Sequence, residues 1–88
     1  MSVWNTLVRA RMPEILIEIN NTEDSISIDI AKKLDMTYSH LSGVLKILID
    51  GKLINSEKKG RINILTLTKK GRDIAEHFEI IKKEIGNG

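Results

Sequence analysis

The chain has no cysteine, one proline, one tryptophan, one tyrosine, one phenylalanine and two histidines in 88 residues. Without cysteine there are no disulfides and no thiolate metal sites. His40 and His77 fall on separate predicted helices, so no cluster of ligands at metal-binding spacing forms and no metal is expected. No apolar run approaches the roughly 20 residues that cross a bilayer. The opening stretch MSVWNTLVRARM lacks the basic-then-apolar layout of a secretory signal. No Ser/His/Asp arrangement, glycine-rich phosphate loop or paired-acid motif is present. Glu14, Glu18, Asp24 and Asp29 sit among helix starts and solvent faces, where acids suit the helix dipole. These absences lead us to expect a soluble cytoplasmic protein that is not an enzyme, carries no cofactor and does not enter a membrane.

What is abundant is isoleucine, fifteen residues of it, and lysine, which outnumbers arginine ten to four. The length predicts one domain over 1–88, with a modest core that would gain from a partner subunit. The net charge of +2 is small, but it is unevenly spread. Residues 1–44 carry four basic and six acidic side chains, whereas residues 45–88 carry ten basic and six acidic. Such clustering is the electrostatic footprint that a polyanion requires, although a solvated lysine-rich hairpin would also produce it.

Val3, Trp4, Leu7 and Val8, then Met12, Ile15, Leu16 and Ile19, recur at a helical period interrupted by Pro13. This predicts a helix over about 3–10 and another over about 13–20, or one helix kinked at the proline. Ser25-Ile26-Ser27 reads as a short extended piece. Ser27 is the expected N-cap of a helix over 28–34, with Ile30, Ala31 and Leu34 inward. Asp35-Met36 is the turn, Thr37 the next cap, and a helix follows over 38–50. Gly51 is expected to close that helix in a left-handed conformation. Leu53–Ser56 and Ile62–Leu67 read as strands joined by Glu57-Lys58-Lys59-Gly60-Arg61. On the second strand Ile62, Ile64 and Thr66 share one face and Asn63, Leu65 and Leu67 the other, so both faces carry apolar residues. Thr68 caps a last helix over 69–85.

Helix 38–50 has a core stripe of Leu41, Val44, Leu45 and Leu48. Its opposite face is Ser39, Ser42, Gly43 and Lys46, with Tyr38 and His40 at the exposed N-terminal end. A small polar face can come close to a groove floor. Hydroxyls and a lysine there can bond base edges or phosphate. Any surface helix also shows a polar face to water, so this face alone decides nothing. It is followed by Lys58, Lys59, Arg61, Lys69, Lys70 and Arg72, a stretch from 58 to 72 without Asp or Glu. A helix trailed by a basic hairpin suits a duplex, the helix in the major groove and the hairpin on phosphate.

The residues LDMTYSHLSGVLKILIDGKLI and KKGRINILTLTKKGR resemble the winged helix-turn-helix of MarR-like and ArsR-like transcription regulators. The resemblance covers about residues 24–75. Leu53-Ile54 corresponds to the start of the first wing strand, and Leu67-Thr68-Lys69-Lys70-Gly71 to the Leu-Thr-x-x-Gly that opens the next helix. Two positions depart from the pattern. Gly51 stands one residue before the place where the family has glycine, leaving Lys52 there. Gly43 occupies a position where many relatives have arginine.

The resemblance implies an α+β, mostly α fold. A helix-turn-helix and hairpin wing span 25–68, with an extra N-terminal helical segment over 1–20 and a C-terminal dimerisation helix over 69–85. It implies double-stranded DNA as partner, contacted by Tyr38, Ser39, His40, Ser42, Lys46, Lys58, Lys59 and Arg61. It also implies a regulator, more specifically a repressor, in a nucleoid-associated prokaryotic or viral setting. The apolar stripe Ile74, Phe78, Ile81 and Ile85, with Trp4 and Leu7, is the expected homodimer interface. Two other readings stay open: a winged-helix module that binds protein, and a nonspecific chromatin-type DNA binder.

Overall fold

A computed structural model describes residues 11–86. The expected helix over 3–10, with Trp4 and Leu7, lies outside these residues. The elements run α1 (Met12–Asn21), β1 (Ser25–Ile26), α2 (Ser27–Lys33), α3 (Tyr38–Asp50), β2 (Ile54–Lys59), β3 (Ile62–Leu67) and α4 (Lys69–Ile85).

Pro13 falls in the first turn of α1, where its missing N–H has no partner to lose, so it starts the helix and does not kink it. Met12, Ile15, Leu16 and Ile19 are buried and form one wall of the core. Leu41, Val44, Leu45 and Leu48 of α3 form the opposite wall, as their spacing predicted. Ile30 and Ala31 of α2, Leu53 and Ile54, Leu65 of β3 and Ala75 of α4 close the space between them. Each fully buried leucine or isoleucine contributes about 1.5–3 kcal/mol relative to exposure. Glu18 ties α1 to α2: its carboxylate accepts from Thr22 Oγ1 at 2.8 Å and pairs with Lys33 Nζ at 3.0 Å.

The sheet has three antiparallel strands in the order β1-β3-β2. Ser25 pairs with Leu65 and Ile26 with Ile64, so the short extended piece is a strand. This corrects the expected cap of α2. Ile26 is extended because it is paired, and the helix begins at Ser27 with no side-chain cap bond. The hairpin differs too. β2 continues to Lys59, and the expected five-residue connection shrinks to Gly60-Arg61, with Lys59 opposite Ile62. Gly60 has φ +63°, and Arg61 is not among the positive-φ residues. Glycine with positive φ at the first central position suits a two-residue hairpin turn. Leu65 and Leu67 turn to the core, while Ile62, on the other face, stays 39% exposed.

Both ends of the helix-turn-helix close in the same way. After α2, Asp35 has φ 55°, Asp35 N–H bonds Lys32 O at 3.2 Å, and Met36 N–H bonds Ala31 O at 2.8 Å. After α3 the left-handed residue is Lys52 (φ 62°), whose N–H bonds Ile49 O at 3.0 Å while Leu53 N–H bonds Leu48 O at 2.9 Å. These nested bonds satisfy carbonyls that a helix end leaves open. Gly51, at φ −80°, is not left-handed, which corrects the expectation for it. The glycine of the family pattern belongs one residue later, and here a lysine is held there.

α4 begins where Thr68 Oγ1 accepts from Gly71 N–H at 3.0 Å, as predicted. The same hydroxyl donates to Lys52 O at 2.7 Å, and Thr68 N–H bonds Leu53 O at 3.0 Å. A Cβ on Gly71 would overlap the Leu53 carbonyl oxygen, so only glycine lets α4 come this close.

In urea denaturation, Gly71→Ala is expected to lose more than about 2 kcal/mol through overpacking against backbone. Gly51→Ala is expected to be nearly neutral, since its added Cβ would meet Ile47 O at an ordinary 3.4 Å. Lys52→Gly is expected to gain roughly 0.5–1 kcal/mol by relieving the left-handed lysine. A loss with Lys52→Gly would mean that this conformation is not the one populated.

Burial of Glu18 disfavours its charge, but the bonds from Lys33 and Thr22 outweigh this and hold its carboxyl below the ordinary 4.5. A depressed native value gives stability that is fully present above the unfolded value and is lost as pH falls through the native one. Glu18→Gln is therefore expected to be less stable at neutral pH and to lose stability less steeply as pH drops below about 4.5. An unchanged pH profile would contradict this.

Candidate nucleic-acid interface

The outward side of α3 carries the residues that its periodicity assigned to it. Ser39, His40, Ser42, Gly43 and Lys46 are exposed. Thr37 is extended and its Oγ1 accepts from His40 N–H at 3.1 Å, which fixes where the first turn begins. The helix therefore presents its N-terminal end with donors pointing outward, the end that favours an anion. Asp50 is exposed at the other end of the same side, a feature the sequence reading passed over. A carboxylate at a helix C-terminus repels anions, so an anion would be favoured only at the N-terminal half of this face.

Between α3 and the hairpin runs an open groove. Tyr38, Ser42, Lys46 and Ile49 line it from the helix, Ser56 and Asn63 from the strands, and Leu45 and Leu65 form its floor. Asn63, which the sequence reading assigned only to a face, donates from Nδ2 to Tyr38 Oη at 3.3 Å. Ser27 Oγ lies 3.4 Å from the same oxygen. These bonds, Ser27 first, and the charge of Lys58 hold the Tyr38 phenol below its ordinary pKa of 10.0.

The basic residues of the hairpin do not act as one patch. Lys58 is opposite Asn63 and so shares the face that looks toward Tyr38. Lys59 is opposite Ile62 on the reverse face, where its Nζ lies 3.6 Å from Glu57 Oε1. Arg61 is exposed in the turn. Lys46, Lys58 and Arg61 form no ion pair among the described residues. Lys69, Lys70 and Arg72 are exposed around the start of α4, and Arg72 lines a separate shallow cleft with Glu23 and Asp24.

The stripe on α4 divides into two parts. Ile74 and Phe78 are partly buried against the core of their own chain, whereas Ile81 and Ile85 are 51% and 72% exposed. Phe78, Ile81 and Ile85 meet Ile17 and Leu34 along an open cleft between α1 and α4. Among the described residues there is no cluster of three or more potential metal ligands, and no helix is long and apolar enough to cross a membrane.

Solved structures share this arrangement. AF1382 from Archaeoglobus fulgidus superposes with a TM-score of 0.84 and 26% identity, over 99% of this chain and all of that one. A MepR–DNA complex from Staphylococcus aureus gives 0.79 and 25%, over 85% of this chain and 58% of that one. Staphylococcus aureus MarR, in complex with salicylate and kanamycin, gives 0.75 and 26%, over 85% of this chain and 52% of that one. The fold is the MarR-like winged helix. In its terms α3 is the recognition helix and β2–β3 the wing. The chain spans only a little over half of the MepR and MarR chains. No family model and no curated protein matches the sequence.

Proposed function

We propose that this chain binds double-stranded DNA as a dimeric transcription regulator, a repressor by occupancy. The observation that carries the reading is one-sidedness. Ser42 and Lys46 of the recognition helix line one groove with Ser56 and Asn63 of the wing, exposed Ser39 lies in the same half of the helix, Lys58 shares the wing face of Asn63, and Arg61 extends the positive charge to the wing tip. The helix would enter the major groove while the wing follows the phosphate backbone. The MepR relative, similar across most of this chain, is known in complex with DNA, which supports the same partner here. Gly43, where many relatives have arginine, leaves Ser39, His40, Ser42 and Lys46 to supply base contacts, with Tyr38 at the edge. One such module reads few base pairs. A two-fold dimer would place a second helix about 34–36 Å away and call for a near-palindromic site.

For the dimer contact we propose exposed Ile81 and Ile85, joined by Trp4 and Leu7, with Ile74 and Phe78 supporting the surface from the core side. A protein-binding module would instead draw on Ile28 and Ile62, exposed at 49% and 39%. Selection from a random duplex pool separates the readings, because only a sequence-specific DNA binder enriches a motif.

With the enriched duplex, Lys58→Ala and Arg61→Ala are each expected to reduce the slope of log affinity against log salt by roughly 0.9. Lys59→Ala, on the reverse face beside Glu57, is expected to change it less. Equal slopes in all three variants and the wild type would remove the wing from the interface.

Ile81→Glu with Ile85→Glu is expected to give a monomer in sedimentation that keeps its helical content and binds a palindromic duplex far more weakly. A variant that sediments as the wild-type dimer would place the contact elsewhere. A monomeric wild type that still protects a whole palindrome as one unit would contradict the dimer.

A further inference from the structure

We infer that Tyr38 is a positioning residue that sets the wing relative to the recognition helix, with Asn63 and Ser27 as its partners; this rests on the DNA-binding reading above. Three elements meet at one phenolic oxygen. Tyr38 is the first residue of α3, Asn63 lies in β3, and Ser27 opens α2. Asn63 Nδ2 donates to Tyr38 Oη at 3.3 Å, and Ser27 Oγ lies 3.4 Å away. Ser27 is only 3% exposed, so its position is fixed by the core. Asn63 stands directly across the ladder from Lys58, the wing lysine on the groove side. Moving Asn63 therefore moves Lys58.

Elsewhere the outer half of the wing has little to hold it. Asn55 through Lys59 are all exposed, so the outer part of β2 is held mainly by its ladder to β3. A flexible wing must be ordered when it meets phosphate, and that ordering reduces affinity. The Tyr38–Asn63 link is the one described side-chain bond between α3 and the wing strands. Both distances are long for hydrogen bonds, so cutting them removes little stability. What is lost is the register of two reading elements on one duplex, and because the wing meets phosphate the loss extends to any sequence.

The test uses the full chain with Tyr38→Phe, Asn63→Ala and the double variant, against the enriched duplex and a random one. Each single variant is expected to lower affinity for the enriched duplex by about threefold, the scale of one weak hydrogen bond lost within the protein. The random duplex is expected to lose affinity too, since wing contacts to phosphate are sequence-independent, while the thermal midpoint of Asn63→Ala stays near wild type. The double variant is expected to lose no more than either single one, since both cut the same link. A loss with Tyr38→Phe but none with Asn63→Ala would mean that the hydroxyl touches the duplex itself, and would overturn the inference. Additive losses would overturn it too, as would a fall in the thermal midpoint of Asn63→Ala parallel to the loss of affinity. A second readout needs no DNA. Nitrogen relaxation of the free protein is expected to show residues 57–61 more mobile on the picosecond–nanosecond scale in both variants. Unchanged wing order there would overturn the inference. If the wild type binds no duplex, the DNA reading fails, and the relaxation measurement alone decides whether the joint exists.

Discussion

The carbonyl of Leu53 is the point on which the arrangement depends. Leu53 follows the left-handed Lys52 at the end of the recognition helix, and its N–H closes that helix on Leu48. Its oxygen accepts from Thr68 N–H, the Thr68 hydroxyl that donates to Lys52 O lies 3.2 Å from it, and Gly71 lies against it with no Cβ between. One residue therefore joins the end of α3, the start of the wing and the start of α4. The side chains of Leu48, Leu53 and Ile54 bury the same junction in the core. The recognition helix has only one direction in which to leave, and the wing returns alongside it.

That junction gives the molecule its two sides. The groove side carries Lys46 and Lys58 with no acid paired to either among the described residues, whereas the reverse face of the wing pairs Lys59 with Glu57. A total charge of +2 conceals this division. Strand alternation separates neighbours in sequence, so Lys58 and Lys59 serve different surfaces. Asp50 marks where the favourable part of the helix stops.

Most of the element order could be read from the sequence because it follows from apolar spacing and capping hydroxyls. α3 and β3 have the predicted bounds, and Thr37 and Thr68 cap as their types suggest. The errors arose where tertiary pairing overrode local preference. Ser27 would be a good cap, but Ile26 is drawn into the sheet by Ile64. Gly51 would be a good left-handed residue, but the nested bonds of Leu48 and Ile49 place that conformation on Lys52. The charged run Glu57-Lys58-Lys59 reads as a loop, yet it is strand because Gly60 can make the turn in two residues. At the site, helical periodicity identified the exposed face of α3. It could not show that Asn63 reaches Tyr38, or that Phe78 turns inward while Ile81 stays exposed, because those depend on how separate elements are packed.

In the proposed function, the N-terminal half of α3 and the groove side of the wing form one duplex-binding surface. Titration of the labelled protein with its enriched duplex, followed by amide chemical shifts, tests this most directly. Ser39, Ser42, Lys46, Lys58 and Arg61 are expected to shift together and saturate at the same duplex concentration, with Ile62 and Ile64 on the reverse face of the wing little affected. Shifts centred on that reverse face, or wing residues that saturate separately from the helix, would contradict it.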